Sequence, residues 1–520
     1  MHEKIDQLIH ISRKFGSDNR YVIAGGGNTS YKNEEHIWVK ASGYALATIT
    51  ENGFALLDRK KLNIIAHKKY SKDDYDREEE VKNDLLAACI TKECRPSVET
   101  SLHNAFEYAF VVHLHPTAVC GLMCSKNAES VTKKLFGDEA VYIPYEDPGY
   151  KLSMKVSKNL TAYKVKNGKH PHILFLQNHG VFVAADTIEE IESTYNRIIT
   201  QIEEQISPFG GGTLLLSPFG GGRGRKDIAQ NENECDYIEE TIPPIRMMLS
   251  KQGGLKALKI RTNSRTLNFA SSKTEFQKIA VPFTPDETVY CKSNYIYLSS
   301  ENKEDLLNQA QNKIRRFILI HGYTPKILVI KGVGIVAVGN SAAECDTILD
   351  SYEDAMKIAE IAQSFGGEHP MTKHRIKFID NWEVENYRRK VNTGIVSGRT
   401  PNKTIIITGA AKGFGEGIAE CLLKEGANIV VADLDEDAGK ATVERLQGLC
   451  NSYRILFVKT DVADPKSLQN LIRETVRNFG GLDVFISNAG VLRAGGLENF
   501  TPEEFEFVTN VNYKAYFYCS

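Results

Sequence analysis

The chain has 520 residues, 42% of them hydrophobic and 25% charged, with a formal net charge of -2. Such a length exceeds one core and predicts two to four domains of about 150 residues, and the near-neutral charge argues against binding nucleic acid or an anionic membrane through a global field. Ten cysteines scattered without a C-x-x-C pair argue against a disulfide framework or a structural zinc site.

At the N-terminus, Ile5, Leu8, Ile9, Ile11 and Phe15 recur at helical spacing among polar residues, which predicts an amphipathic helix and not the continuous apolar stretch of a signal peptide. No apolar run of about 18 residues follows. The expectation is a cytoplasmic protein without a membrane span.

Two small-residue turns come next, AGGGNTSYK (24–32) and VKASG (39–43). Gly25 to Gly27 let backbone approach a ligand, and Asn28, Ser30 and Ser42 add short hydrogen-bonding groups, a composition suited to cradling phosphate. In RPSVETSLHNAFEYA, Glu99 opens a predicted helix capped near Ser97 or Thr100. Its carboxylate is either a helix-start charge or, beside a metal, a general base.

FVVHLH reads as a strand, and residues two apart on a strand share a face, so His113 and His115 present two imidazoles side by side. His179, after an apolar strand and before a glycine in LFLQNHGVF, is the best third ligand. Three neutral imidazoles with an open position make a catalytic zinc site, not a structural one. Cys120 and Cys124, four apart just downstream, read as core residues.

Residues 207–233 contain SPFGGG twice, at 207–212 and 217–222, and read as a flexible insertion. On either side lies a second repeat. HPHILFLQNHGVFVAADTIEE matches YTPKILVIKGVGIVAVGNSAAE, aligning Pro171 with Pro325, Ile173 with Ile327, Leu174 with Leu328 and Gly180 with Gly334. His179 then falls on Val333, which predicts a duplicated α/β unit whose second copy has lost its polar centre.

From residue 404, TIIITGAAKGFGEGIAECLLKEGANIVVADLDED runs strand, glycine-rich turn, helix and acid-tipped strand. Gly409, Gly413 and Gly415 would admit a pyrophosphate at a helix N-terminus, and Asp433 would bind a ribose 2′-hydroxyl, favouring NAD over NADP.

The ordered set G-N-T-S, A-S-G, P-S-V-E, H-L-H and N-H-G resembles the class II aldolase/adducin family across about residues 1 to 200. That resemblance implies His113, His115 and His179 as ligands of Zn2+ or another divalent metal and Glu99 as the acid/base, with Asn28, Ser42, Gly43 and Ser97 around a sugar phosphate. T-G-x-x-x-G-x-G, Asp461 in KTDVAD, SNAG at 487–490 and NVNYKAYF resemble the short-chain dehydrogenase/reductase family over 401–520. This implies Asp461 at the adenine, Asn488, Ala489 and Gly490 beside the cofactor, and Asn512 as an active-site asparagine. The family's Tyr-x-x-x-Lys does not occur there, and the expectation is a C-terminally truncated, inactive dehydrogenase portion.

The fold expected is α/β: a class II aldolase-like domain (1–206), the insertion (207–233), a degenerate aldolase-like α/β segment (234–395) and part of a Rossmann, doubly wound parallel-sheet domain (396–520). This order resembles bifunctional proteins of sugar catabolism that pair rhamnulose-1-phosphate aldolase with lactaldehyde dehydrogenase. It implies cleavage of L-rhamnulose 1-phosphate, or another ketose 1-phosphate, and a homo-oligomer, by resemblance a tetramer. Two alternatives stand beside it: an NAD-dependent oxidoreductase of which this chain is a fragment, and a non-catalytic adducin-like scaffold that binds no metal.

Overall fold

In the computed structural model the described residues are 2–206, 238–250, 254–300, 302–382, 397–448 and 452–520. The SPFGGG insertion lies outside them. They form two compact units. One comprises described residues of Met1–Lys226, Lys278–Ser293 and Asp350–Asn392; the other, of Asp227–Gln277, Asn294–Leu349 and Thr393–Ser520. The stretch 234–395 therefore contributes to both.

The first unit is built on a seven-stranded sheet of β1 (Asn28–Lys32), β2 (His36–Lys40), β3 (Phe54–Asp58), β4 (Phe110–Leu114), β5 (Ala140–Ile143), β6 (Ile173–Leu176) and β7 (Gly180–Ala185). Their order is β3-β2-β1-β4-β7-β6-β5, antiparallel throughout except for the β5–β6 pair. Alternation along the strands makes two cores. Phe110, Val112 and Leu114 of β4 and Val181 and Val183 of β7 pack with the helices His2–Gly16, Thr117–Met123 and Ile188–Glu203. The opposite face, carrying Val111, Phe182 and Ala184, packs on the helices Thr100–Ala105 and Tyr150–Asn167. His113 points to this second face, by the period of two from Val111. Cys120 and Cys124 are buried.

In the second unit, β8 (Ala257–Arg261), β9 (Ile296–Leu298), β10 (Ile327–Ile330) and β11 (Gly334–Gly339) form a sheet in the order β8-β11-β10-β9. Its directions repeat those of β4-β7-β6-β5: two antiparallel pairs, then a parallel one. Val336 opposes Ile260 as Phe182 opposes His113. The duplication thus places Ile260, Thr262 and Val333 where the first copy has His113, His115 and His179, so the second copy offers a metal nothing.

The other sheet of this unit, β12 (Thr404–Thr408), β13 (Asn428–Asp433), β14 (Ile455–Lys459) and β15 (Val484–Ile486), is wholly parallel in the order β14-β13-β12-β15. Both faces are buried: Ile406, Val430 and Ala432 on one side, Ile405, Ile407, Ile429 and Val431 on the other. That explains why these strands read as continuous apolar runs. The crossovers are the helices Gly413–Lys424, Glu436–Gln447 and Pro465–Phe479.

Candidate active site

In the sheet of the first unit, Asn28 of β1, His113 of β4 and Phe182 of β7 lie in one row across the ladder. Phe182 stacks on the His113 ring at 4.0 Å between centroids, which fixes the plane of the imidazole. His113 Nδ1 lies 3.1 Å from the carbonyl of Val181 and so carries the proton, leaving the Nε2 lone pair for a ligand. His115, one residue past β4, has Nδ1 2.6 Å from Asp286 Oδ2, with the same consequence.

His179 comes from the tight turn between β6 and β7. The preceding Asn178 takes φ 54°, and Gly180 leaves room that a side chain would fill: a Cβ there would lie 2.5 Å from the Leu114 carbonyl and 2.7 Å from the His115 ring. The N-H-G sequence is thus required by how closely this turn crosses the end of β4.

His115 Nε2 is 3.0 Å and His179 Nε2 3.4 Å from His113 Nε2, and one nitrogen of each ring lies within 4.8 Å of the others. Imidazoles bound at about 2.05 Å to a tetrahedral ion have nitrogens roughly 3.3 Å apart. The donor set fits a divalent metal. His179 is 7% exposed, and burial, ahead of the opposing pull of Glu99, brings its pKa down to about 3, so the ring is neutral.

Glu99 occupies the N-cap position of the helix Thr100–Ala105 without capping it through its side chain. Ser97 takes that work from two residues earlier, its Oγ accepting from Glu99 N and its carbonyl from Thr100 N. The Glu99 carboxylate is thereby directed inward. Oε1 lies 3.5 Å from Nε2 of both His113 and His179 and accepts no hydrogen bond, while Oε2 accepts from the Asn28 amide.

A cavity opens beside these groups, lined by Gly25, Gly27, Lys40, Ser42, Gly43 and Ser97 together with Asn28, Glu99, His115 and His179. Asn28, Ser42, Gly43 and Ser97 thus share one cavity with Glu99 and two of the histidines, whereas Ser30 does not line it and bonds His103. Three further residues were not singled out from sequence. Lys40, in the quoted VKASG turn, is buried and donates to the Gly25 carbonyl at 3.2 Å. His103, one helical turn after Glu99, bonds Asn28 Oδ1 and, at 2.8 Å, Ser30 Oγ; burial drives its pKa well below the ordinary 6.5. Asp286 belongs to no motif.

In the second unit, the expected cofactor residues gather at the C-terminal ends of β12, β13 and β15. Gly409 and Gly413 have φ of 63° and 65°, and a Cβ on Gly415 would lie 2.3 Å from the Gly409 carbonyl. Asp433 accepts from Ala411 N at 2.9 Å and Asp435 N at 3.0 Å. Asn488 donates to the carbonyls of Thr408 and Gly409, and Ala489 N to Thr408 Oγ1, locking the SNAG loop to the first turn. Asn512, in a π-helical turn close to Gly490, makes paired bonds of 2.8 Å with the Val491 backbone. Asp461 follows β14, its carboxylate accepting from Ala463 N.

Comparison with known proteins adds two matches: residues 6–200 to the class II aldolase and adducin N-terminal domain, and residues 403–520 to the short chain dehydrogenase. The uncharacterized oxidoreductase YuxG of Bacillus subtilis (strain 168) is 25% identical over 99% of this chain and 76% of its own length. Versicolorin reductase 1 of Aspergillus parasiticus is 38% identical over 23% of this chain and 45% of its own. The chain spans a little under half the length of such dehydrogenase relatives. Among solved structures, the N-terminal class II aldolase domain of a conserved protein from Thermoplasma acidophilum is 29% identical with a TM-score of 0.34, covering 38% of this chain and 92% of that one.

Proposed function

We propose that this chain, whose residues 6–200 match a class II aldolase/adducin domain and whose residues 403–520 match a short chain dehydrogenase, catalyses metal-dependent retro-aldol cleavage of a ketose 1-phosphate. The observation that carries this reading is the position of Glu99 Oε1, 3.5 Å from two of three converging imidazole nitrogens. Zinc or another divalent ion held by His113, His115 and His179 would polarise the ketose carbonyl and hydroxyl oxygens and offset the negative charge that develops as the carbon–carbon bond breaks.

The residues of the chain do the rest. Gly25, Gly27, Asn28, Ser42, Gly43 and Ser97 receive the phosphate, and Lys40 brings a positive charge to it. In the condensation direction Glu99 removes a proton from the carbon beside the carbonyl; in cleavage it returns one to the same carbon. No lysine Schiff base is needed.

The substrate proposed is L-rhamnulose 1-phosphate, giving dihydroxyacetone phosphate and L-lactaldehyde, in a cytoplasmic homo-oligomer. Among the described residues no helix is long and apolar enough to cross a membrane. Residues 401–520 hold no Tyr-x-x-x-Lys, and the role proposed for this stretch is NAD binding. Fusion to an aldehyde-oxidising partner would raise the local aldehyde concentration for the second step.

The test is cleavage of L-rhamnulose 1-phosphate by the purified chain with and without chelator, following dihydroxyacetone phosphate through an added dehydrogenase. Chelator-sensitive release is expected. A second reading, an oxidoreductase acting on a small aldehyde or alcohol, is favoured by the name of the Bacillus subtilis relative; it gains if a metal-loaded sample cleaves no ketose 1-phosphate. A sample that binds no metal would favour the adducin-like scaffold.

A further inference from the structure

The stretch matching the aldolase domain ends at residue 200, yet the groups that orient two of the three histidines come from beyond it. Asp286, at the second position of the helix Pro285–Cys291, holds Nδ1 of His115 at 2.6 Å. Three bonds present that helix rigidly. Thr284 caps it by accepting from Glu287 N, Glu287 accepts in turn from Phe283 N, and Tyr290 accepts from Gly25 N. Asn178, next to His179, donates to the carbonyls of Phe283 and His369 at 3.1 and 2.7 Å, which holds its left-handed backbone in place. The glycine turn accommodates the contact as well. A Cβ on Gly26 would lie 2.7 Å from Asp286 Oδ2 and 3.6 Å from His115 Nδ1, so the middle glycine of AGGGN leaves the space in which carboxylate and imidazole meet.

We infer that Asp286, carried by the segment Lys278–Ser293, is the positioning residue of the metal centre: it fixes the tautomer and ring plane of His115 and so aims Nε2 at the site. This rests on the metal-dependent reading above. A carboxylate accepting from the far nitrogen of a ligating imidazole makes that imidazole a stronger donor, and removing such a partner weakens metal binding by about 10–100-fold. The segment therefore adds to the centre an orienting contact that comes from outside residues 6–200.

The test uses the full chain and competition for Zn2+ against a chromogenic chelator, with the visible spectrum of the Co2+-loaded protein as a second readout. Asp286→Ala is expected to weaken Zn2+ binding by about 10–100-fold and to shift the Co2+ bands. Asp286→Asn, which keeps the shape and one acceptor, should fall between it and the parent, and Asp286→Glu should recover part of the loss. In a His115→Ala background, Asp286→Ala should add little, because its effect passes through that ring. Parental affinity and an unchanged Co2+ spectrum in both Asp286→Ala and Asp286→Asn overturn the role of Asp286 and leave the aldolase reading standing. A parent chain that takes up neither ion overturns both.

Discussion

Asn28 Oδ1 accepts a hydrogen bond from Nε2 of His103, and this bond decides which way the Asn28 amide faces. With its oxygen engaged, the amide turns its nitrogen to Glu99 Oε2 and, at 3.4 Å, to Ser97 Oγ. Ser30 bonds the other ring nitrogen of His103, and Lys32 donates to its carbonyl at 2.9 Å, so three alternate residues of β1 grip one histidine. His103→Ala should release the amide and leave buried polar groups unpaired. The expected loss is about 1–3 kcal/mol of stability, read by urea unfolding, together with slower cleavage at unchanged metal content.

Glu99→Gln keeps the shape of the side chain and can still accept from Asn28. It removes the group proposed to carry the proton. Cleavage should fall by about 10²–10⁴-fold while Zn2+ stoichiometry, measured by elemental analysis, stays at the parental value. Parallel loss of metal would show that the carboxylate serves the ion and not the proton.

Asp354 is half-buried, and Thr117 Oγ1 donates to it at 2.5 Å. Burial raises its pKa from 3.8 to about 6, a shift that the nearby Lys357 and the Thr117 bond oppose and the charge of Asp286 assists. A carboxyl with a raised folded pKa contributes stability that is complete below pH 4 and is lost as pH rises through 6. The loss is worth about 3 kcal/mol. Asp354→Asn should therefore gain on the parent between pH 4 and 7, seen as urea midpoints that diverge with increasing pH.

In the second unit Arg246 is 2% exposed and donates to Asp483 at 2.9 Å and to the carbonyls of Lys256 and Asn402. Asp483 also accepts from Thr404 N at 2.7 Å, at the start of β12. Arg246→Ala removes the charged partner of that carboxylate and leaves the carbonyls of Lys256 and Asn402 without this donor, and should cost about 1–3 kcal/mol, visible as a lower melting temperature. Pairing it with Asp483→Asn should recover part of the loss.

The carboxylate of Asp433 stands at the end of β13, where a dinucleotide's ribose hydroxyl would meet it and a 2′-phosphate would be repelled. If residues 401–520 bind a dinucleotide, fluorescence titration should find NADH tighter than NADPH, and Asp433→Ala should narrow the difference. Because both carboxylate oxygens also hold the turn through Ala411 and Asp435, affinity for NADH should drop as well.

The convergence of His113, His115, His179 and Glu99 could be anticipated because each stands in a short segment whose local geometry can be reasoned out: a strand and the residue just past it, a tight turn, a helix start. The parallel sheet of β12–β15 was legible for a similar reason, since its strands, turns and helices alternate without interruption. His103 left a weaker trace, a spacing of four from Glu99 that only the fold converts into a contact with β1. Asp286 left none: its pairing with His115 spans 171 residues, and no periodicity or capping pattern encodes such a distance. The division of 234–395 between two units escaped for the same reason, because the pattern of apolar residues marks each helix and strand without saying which neighbour will bury it.

The interleaving of the two units sets an order on the protein's birth. At about 5–20 residues per second, residue 286 emerges roughly 4–17 s after residue 200. In that interval a nascent chain already holds His113, His115 and His179 but lacks Asp286 and the carbonyls of Phe283 and His369 on which Asn178 closes. Tight metal capture is thus expected to follow emergence of the opening domain by several seconds, and a nascent chain that has emerged only as far as residue 206 would hold the histidines but bind an ion about 10–100-fold more weakly.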